Sequence, residues 1–215
     1  MNLFFWRKQE IPKLVFETDH HSHILPGVDD GVRTLEDSLD ILSDYEKLGI
    51  KTVWCTPHIM EDCPNTTEDL KERFAMLKES YKGPIKLNLA AEYMMDTLFH
   101  RRYAAGDLLT MDGMLLVETS YFNPPANLDE TLSRIMSQGR FPILAHPERY
   151  MYMEKDDYKR LKEAGVKFQM NMGSIKGYYG RHAQAKALWL LRKGFYDFYG
   201  SDLHRRQMVA LLEDK

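Results

Sequence analysis

The chain has 215 residues, a hydrophobic content of 44% and a formal net charge of −3. This length and composition suffice for one well-buried core, and the nearly balanced charge excludes an extended nucleic-acid-binding surface. Cys55 and Cys63 form no Cys-x-x-Cys pair, which argues for a reducing compartment and hence a cytoplasmic location. The apolar runs are too short to cross a bilayer, so we expect no transmembrane segment.

Short apolar runs alternate with longer amphipathic ones along the chain. Seven runs predict strands, at Leu14–His20, Thr52–Thr56, Ile85–Ala91, Gly113–Glu118, Phe141–Ala145, Val166–Asn171 and Phe195–Gly200. Apolar residues at spacings of three and four, from Leu35 to Leu48, predict a helix, and Gly194 predicts the end of another. This alternation predicts a parallel α/β fold, for which we favour a distorted barrel over an open sheet. We expect residues 1–215 to form one domain, with residues 1–13 as an N-terminal extension.

The first predicted strand ends in the first candidate metal ligands. In an extended chain, side chains two residues apart point the same way, so His21 and His23 can bind one ion together. His20 then faces the opposite side, where a structural role is expected. A single His-x-His pair is a weak signal, because two histidines meet by chance often enough.

Further histidines and carboxylates fall where other predicted strands end. The additional candidate ligands are Asp30, His58, Glu92, Glu118, His146, Asp202 and His204. In a barrel these ends converge on one face, where barrel active sites lie. Any one of these residues could equally be a satisfied polar group or, as for Asp202, a helix cap. Together, however, so many charged groups beside buried strands are hard to explain unless they are paired or bind metal.

The donor set combines imidazole and carboxylate without cysteine thiolate. Such a mixture favours a hydrolytic cluster of Mn²⁺, Zn²⁺ or Fe over a structural zinc site. There are more ligands than one ion needs, so the sequence predicts two or three ions. Paired metals stabilise attacking and leaving oxygens, which is the chemistry of phosphate-ester hydrolysis.

Several of these segments together resemble a known family. The run Asp19-x-His21-Ser22-His23-Ile24-Leu25-Pro26-Gly27-Val28-Asp29-Asp30-Gly31 and the run Ala145-His146-Pro147-Glu148-Arg149-Tyr150 carry most of the likeness. They resemble the metal-dependent tyrosine phosphatases of bacterial capsule and exopolysaccharide operons, within the polymerase-and-histidinol-phosphatase (PHP) superfamily. The resemblance extends from about Asp19 to His204.

The resemblance implies a distorted TIM-like (β/α)7 barrel with a trinuclear centre, commonly of manganese. It implies one ion held by His21, His23, Glu92 and Asp202, and a second held by Glu92, Glu118 and His146. A third ion would be held by Asp30, His58 and His204. It also implies that a metal-bridging hydroxide attacks phosphorus directly, with Arg149, Asp202 and His204 acting in catalysis.

The same resemblance suggests how the substrate is bound. Arg149 should contact the phosphate, since a guanidinium binds its oxygens in a bidentate manner. Relatives often carry another phosphate-contacting arginine after the last ligand, where Arg205 and Arg206 stand here. The implied substrate is phosphotyrosine in the tail of a bacterial tyrosine kinase that controls polysaccharide export. The C-terminal end is short relative to this family, and assembly into a homo-oligomer is left open.

Alternative functions differ in how well the residues support them. Cysteine-dependent tyrosine phosphatases need Cys-x5-Arg, but Glu61 and Asp69 stand at the arginine positions, and no Gly-x-Ser-x-Gly elbow supports a serine hydrolase. A PHP enzyme acting on a small phosphomonoester, such as histidinol phosphate, stays open, because it would use the same metals and Arg149. A non-catalytic metal-bound scaffold is disfavoured, because no ligand is missing. The tyrosines at Tyr150, Tyr152, Tyr178 and Tyr179 could line a shallow mouth for an aromatic ester or simply pack.

Overall fold

A computed structural model describes residues 17–213. The predicted extension of residues 1–13 and the beginning of the first predicted strand lie outside the described residues. The strands are β1 (Thr18–Ser22), β2 (Thr52–Cys55), β3 (His58–Ile59), β4 (Lys86–Leu89), β5 (Glu92–Met94), β6 (Met114–Glu118), β7 (Phe141–Ala145), β8 (Lys167–Asn171) and β9 (Phe198–Gly200). The α-helices are α1 (Leu35–Lys47), α2 (Thr67–Ser80), α3 (Thr97–Ala105), α4 (Leu128–Ser137), α5 (Lys155–Glu163), α6 (Met172–Ile175) and α7 (Gly180–Arg192). Short 3-10 helices span Pro147–Arg149 and Arg206–Leu211.

Local capping signals explain where several helices begin. The Thr34 hydroxyl accepts a hydrogen bond from the Asp37 amide, and the Thr66 hydroxyl accepts one from the Asp69 amide. Each threonine thus satisfies an amide that has no partner inside the helix. The predicted helix from Leu35 onward is confirmed as α1, whose inward face buries Ile41, Leu42 and Tyr45. None of the helices in residues 17–213 is long and apolar enough to span a membrane.

All pairings between these strands are parallel. One sheet has the order β1-β2-β4, and the other has the order β3-β5-β6-β7-β8-β9. Helices follow most of the strands, as a parallel sheet requires. The central strands are therefore buried and nearly continuously apolar, as in Leu115, Leu116 and Val117 of β6. The predicted parallel α/β class is confirmed.

The third predicted strand, Ile85–Ala91, is wrong as a single element. In the structure β4 ends at Leu89, and a separate strand, β5, begins at Glu92. The neighbouring strands β2 and β3 are separated in the same way, with Pro57 between them. Backbone hydrogen bonds span the breaks, from the Ala90 amide to the Cys55 carbonyl and from the Glu92 amide to the Pro57 carbonyl. The register is also kept, since Thr52 pairs with Lys86 and His58 with Glu92. The two sheets are therefore joined through both interrupted strands.

The two sheets form one curled surface whose outer ends approach each other. The Asp202 amide, just after β9, donates to the His21 carbonyl of β1 at 2.7 Å, and the His23 amide donates to the Leu203 carbonyl at 3.0 Å. Ser22 and Leu203 form a parallel bridge. Consequently, the segments that follow β1 and β9 lie side by side at the carboxyl ends of the strands.

A buried polar network fixes this junction from below. The Tyr45 hydroxyl of α1 lies 2.8 Å from Asp19 Oδ2 and 2.9 Å from Ser201 Oγ. Asp19 Oδ1 also accepts hydrogen bonds from the Ser201 amide at 2.8 Å and the His21 amide at 3.2 Å. Burial raises the pKa of Asp19, while its hydrogen bonds oppose that shift. One buried carboxyl group thus ties α1, β1 and the end of β9 together.

Tyr45→Phe should destabilise the fold by about 1–3 kcal/mol, because it leaves buried polar partners unsatisfied. Urea unfolding monitored by circular dichroism would measure the change. Tyr103→Phe is the matched control, since its hydroxyl reaches only the Arg134 carbonyl at 3.4 Å. Equal unfolding midpoints for the two variants would contradict the role assigned to Tyr45.

Candidate metal centre

The curled sheet brings all nine predicted ligands to one end. His21 lies in β1, His58 and Glu92 open β3 and β5, and Glu118 ends β6. His23, Asp30, His146, Asp202 and His204 lie in the segments that follow β1, β7 and β9. His20 faces away, with Nδ1 on the Tyr199 carbonyl and its ring against Phe198.

Three overlapping groups of side chains could each hold an ion. Within each group, one ligand atom per residue lies within 4.8 Å of the others. The groups are His21, His23, Glu92 and Asp202; His23, Asp30, His58 and His204; and His58, Glu92 and Glu118. Because His23, His58 and Glu92 each belong to two groups, the candidate sites are adjacent.

His146 is placed beside these groups, next to two of their carboxylates. Its Nε2 lies 3.0 Å from Glu92 Oε1 and 3.8 Å from Glu118 Oε2. The ligand set of His21, His23, Glu92 and Asp202, which the family resemblance implies, is the same as one of the three groups. The structure places His58 beside Glu92 and Glu118, and it adds His23 to the set of Asp30, His58 and His204.

The donor atoms lie close together without forming hydrogen bonds to one another, an arrangement that suits a bound cation. Glu92 Oε2 lies 3.1 Å from His21 Nε2, 3.3 Å from His23 Nε2 and 3.2 Å from His58 Nδ1. Despite these short distances, Glu92 Oε2 and His58 Nδ1 have no hydrogen-bond partner among the described residues. Buried polar atoms are nearly always paired, so convergent unpaired donors indicate a site for positive charge.

Residues behind the cluster orient two imidazole rings. His21 Nδ1 lies 2.8 Å from Gln169 Oε1, and His23 Nδ1 lies 2.8 Å from Asp29 Oδ2. Both partners are acceptors, so each Nδ1 carries a proton, and each Nε2 is left to bind either a second proton or a metal ion. The two Nε2 atoms are only 3.1 Å apart. Two lone pairs at this distance repel unless a cation or a proton lies between them, and acceptors behind ligand histidines are typical of metal sites.

The charges of the cluster reinforce its preference for cations. Burial lowers the pKa of His21, but the Glu92 and Asp202 carboxylates raise it by more than burial lowers it, and the resulting pKa is about 9. Burial raises the pKa of Asp202, yet His21 and His23 bring it far below its usual range. The carboxylates therefore stay ionised and draw positive charge, as protons or as metal ions, into the cluster.

Unusual backbone geometry aims two of the ligands. His146 has φ 33° and Asp202 has φ 51°, in the left-handed region that few residues other than glycine adopt. Two glycines permit close packing against the histidines. A Cβ at Gly31 would lie 2.5 Å from His23 Cβ, and one at Gly200 would lie 2.4 Å from His21 Cβ. In the Asp-Asp-Gly and Gly-Ser-Asp sequences, the aspartates Asp30 and Asp202 are the candidate ligands, and the glycines leave the space that the neighbouring histidines need.

A cavity of about 290 Å³ lies over the cluster. Its lining residues are Asp30, His58, Glu92, Tyr121, His146, Arg149, Tyr178, Tyr179, Asp202, His204, Arg205 and Met208. Arg149, Arg205, Tyr178 and Tyr179, which the sequence singled out, are among these lining residues, and their contact with a substrate stays a prediction. Tyr150 and Tyr152 instead bond to the Ala145 carbonyl and to Thr119.

Arg149 is the most constrained cation in this cavity. Its guanidinium carbon lies 4.4 Å from the ring centroid of Tyr121 and 4.1 Å from that of Tyr179. Its Nη1 donates to Asp202 Oδ2 at 2.7 Å, and Asn171 Nδ2 donates to the same oxygen at 2.6 Å. The other oxygen, Asp202 Oδ1, faces His21 and His23. Asp202 thus connects the arginine to the metal-binding histidines.

Arg206 does not line this cavity. Its guanidinium forms ion pairs with Asp40 and Asp44 of α1, the latter at 3.0 Å. Both acceptors are half-buried residues of α1. The predicted phosphate contact by Arg206 would require these pairs to break, so Arg205 is the better placed of the two arginines.

Three supporting residues were not predicted from the sequence as parts of the site. They are Gln169, Asp29 and Tyr121. Gln169 could have been suspected as a polar residue inside an otherwise apolar strand, and Asp29 from its place in the Asp-Asp-Gly run. Nothing in the sequence marks Tyr121.

The fold and the site together define a class: parallel α/β proteins with a candidate metal centre of histidines and carboxylates at the carboxyl ends of the strands. Residues 17–210 match the family model described as capsular polysaccharide synthesis, CpsB/CapC. The match covers most of the chain, so the protein belongs to the CpsB/CapC family.

Named relatives show the same likeness over most of their length. The chain is 26% identical to tyrosine-protein phosphatase YwqE of Bacillus subtilis, covering 86% of this chain and 76% of the relative. It is 28% identical to tyrosine-protein phosphatase CpsB of Streptococcus agalactiae, covering 86% and 82%. Among solved structures, one from a study of YwqE and Streptococcus pneumoniae CpsB, described as metal-dependent tyrosine phosphatases, superposes with a TM-score of 0.79. That match has 25% identity and covers 91% of this chain and 85% of the other.

Gln169→Leu should weaken metal binding by about 10–100-fold, because His21 loses the acceptor that fixes its tautomer. Metal content after dialysis against graded chelator would measure the loss. Gln184→Leu is the matched control, because Gln184 bonds only to the Ile175 carbonyl near α7. Identical metal retention in both variants would contradict the orienting role of Gln169.

Proposed function

We propose that this protein is a metal-dependent protein-tyrosine phosphatase. The observation that carries the proposal is one cavity that joins three overlapping ion-binding groups to the constrained guanidinium of Arg149. Metal ions and a guanidinium are the groups that phosphoryl-transfer sites use to bind and neutralise phosphate oxygens. Membership of the CpsB/CapC family and the names of the relatives support the same activity.

The finer description of the fold is also a proposal. We propose a distorted TIM-like (β/α)7 barrel of the PHP type. Counting β2 with β3 and β4 with β5 as single interrupted strands reduces nine strands to seven. The bridge between Ser22 and Leu203 supports closure between the first and last of them. We further propose that residues 1–215 form a single domain.

The donor set restricts which ions the site would hold. The three groups contain imidazole and carboxylate donors, and neither cysteine takes part, because Cys55 is buried elsewhere and Cys63 Sγ bonds to the Val28 carbonyl. We propose two or three ions, with Mn²⁺ as the preferred species and Fe or Zn²⁺ as alternatives. His21, His23, Glu92 and Asp202 would hold one, and the groups that share His58 would hold the others, with His146 beside Glu92.

Bound divalent ions would supply Lewis acidity toward the phosphoryl oxygens and lower the pKa of a coordinated water. Arg149 would bind the remaining phosphoryl oxygens, since it lines the cavity and Asp202 holds its Nη1. Tyr121 and Tyr179 would keep the guanidinium plane in place before substrate arrives. Hydrolysis would then form a P–O bond to the oxygen of water and break the ester P–O bond, and the tyrosyl oxygen would take up a proton from that water, so that tyrosine and phosphate are released without a phospho-enzyme.

The substrate is proposed to be phosphotyrosine on a bacterial tyrosine kinase that controls polysaccharide export. The capsular-polysaccharide family and the tyrosine-phosphatase relatives support this choice. Tyr178 stands at the cavity wall with 53% of its surface exposed, edge-on to Tyr179, and could receive an aromatic ester. The cytoplasmic location and a homo-oligomeric state stay predictions.

Hydrolysis of a phosphotyrosine peptide and of p-nitrophenyl phosphate, with Mn²⁺ and after chelation, tests the proposal. We expect activity on both substrates that chelation abolishes and Mn²⁺ restores. Turnover of the small ester without turnover of any phosphotyrosine peptide would favour a small-molecule phosphatase. Bound metal without hydrolysis of either substrate would refute the phosphatase proposal and favour a scaffold.

Arg149→Ala should lower kcat/KM by about 10²–10³-fold, as for loss of one preorganised donor to a developing anion. Its metal content should stay intact, because Asn171 still holds Asp202 Oδ2. His146→Ala is the contrasting variant, expected to lose metal as well as activity. Elemental analysis together with steady-state kinetics distinguishes loss of metal from loss of phosphate binding. Full activity in Arg149→Ala would contradict the role assigned to Arg149.

Tyr179→Leu should raise KM for p-nitrophenyl phosphate roughly 2–30-fold, the equivalent of one cation–π contact. Tyr179→Phe retains the ring over Arg149 and should stay within about 2-fold of the wild type. Inhibition by inorganic phosphate should weaken in parallel in the leucine variant. If the phenylalanine variant is impaired as strongly, the hydroxyl rather than the ring matters.

A further inference from the structure

A second cavity adjoins the one over the metal centre. It has a volume of about 320 Å³ and is lined by Asp30, Gly31, Val32, Arg33, Asp37, His204, Arg205, Arg206 and Gln207. Asp30, His204 and Arg205 line both cavities. A polypeptide whose phosphotyrosine occupies the first cavity therefore has a neighbouring recess for one of its flanking side chains.

Most charges around the second cavity already have partners. Asp37 accepts a hydrogen bond from the Thr34 hydroxyl at 2.7 Å within the first turn of α1, where a carboxylate is favoured. Arg206 is paired with Asp40 and Asp44. Asp30 faces the imidazoles of His204 at 3.4 Å and His58 at 3.6 Å, as a member of the ion-binding cluster.

Two guanidinium groups are left without such partners. Arg33 and Arg205 are exposed, and neither has an ion-pair partner among residues 17–213. Asp30 is engaged with the imidazoles of the cluster, and Asp37 lies at the N-terminus of α1, so Arg33 and Arg205 are the charged groups of this cavity that lack a partner among the described residues. A guanidinium binds a carboxylate through two parallel hydrogen bonds, so the cavity is complementary to an acidic side chain.

The backbone that carries Arg33 is fixed relative to the metal centre. The Val32 amide donates to the His23 carbonyl at 3.0 Å, and the Gly27 amide donates to the Val32 carbonyl at 2.8 Å. Immediately after Arg33, Thr34 caps α1. Arg33 therefore projects from a backbone segment bonded directly to His23, which fixes the point at which its side chain enters the second cavity.

We infer that this second cavity binds a carboxylate side chain next to the phosphotyrosine in the substrate polypeptide, with Arg33 and Arg205 as the recognising groups. This inference rests on the proposed phosphatase function and specifies its substrate class as acidic phosphotyrosine segments. Arg33 acts on the flanking residue alone, so a small aryl phosphate does not sense it.

Two phosphotyrosine peptides of equal length test the inference, one with aspartate or glutamate flanking the phosphotyrosine and one with asparagine or glutamine there. The Mn²⁺-loaded wild type should show a kcat/KM about 2–5-fold higher for the acidic peptide, the range of a partly exposed ion pair. Arg33→Gln should abolish this preference and Arg33→Glu should invert it. Kinetics with p-nitrophenyl phosphate should be the same in all three proteins. Added salt should reduce the preference in the wild type.

Arg101→Gln is the matched control, because Arg101 is an exposed arginine of α3 that lines neither cavity. It should keep the wild-type preference. Equal kcat/KM for the two peptides in the wild type, or an unchanged preference in Arg33→Gln, would overturn the inference while leaving the phosphatase proposal standing. Failure to hydrolyse either peptide would instead count against the phosphatase proposal itself.

Discussion

The Glu92 carboxylate is the contact on which the rest of the site depends. It is fully buried, and its Oε2 lies within 3.3 Å of nitrogens from His21, His23 and His58 without an aligned hydrogen bond. A buried anion facing three imidazoles is costly unless cations compensate it. Because Glu92 belongs to two of the three ligand groups, filling either group changes the charge seen by the other. The candidate sites are therefore one electrostatic unit.

Carboxylate oxygens and imidazole nitrogens repel their own kind at the short distances found in this cluster, so the surrounding structure must hold them rigidly. The left-handed backbone at His146 and Asp202 is a cost of order 1–3 kcal/mol each, which the surrounding structure must offset. Part of that support comes from the backbone bonds between the segments after β1 and β9, and part from the buried Asp19 beneath them. The glycine at position 200 allows β9 to approach His21 more closely than any side chain would permit. Ligand geometry and fold closure thus depend on the same few contacts.

Most strands, and the meeting of the candidate ligands at one end of the sheet, could be predicted from the sequence because both follow local rules. The carboxyl ends of parallel strands lie at one edge of a sheet, and the curl of this sheet brings the nine predicted ligands together there. The interruption between β4 and β5 could not be predicted, because Ala90 and Ala91 suit a strand as well as a break. The break matches the one between the paired strands β2 and β3, where Pro57 has no backbone N–H to donate to a neighbouring strand. The surroundings of the ligands were equally hidden, since Gln169 and Tyr121 meet their partners only through tertiary packing.

Substrate choice follows from those surroundings more than from the ligands. Any phosphomonoester could meet the same ions, so discrimination has to come from groups that contact the parts of the substrate beyond the phosphate. Asp202 links the two functions, because one oxygen faces the histidines and the other fixes Arg149 at the cavity wall. A polypeptide whose phosphate binds at Arg149, as proposed, has further surface beside it at Tyr178, which is exposed, and at Arg205, which also lines the second cavity. A small metabolite has no flanking residues to reach these side chains, whereas a polypeptide has them, so the choice between the two substrate classes would be made at Tyr178 and around the second cavity, where Arg33 and Arg205 lie.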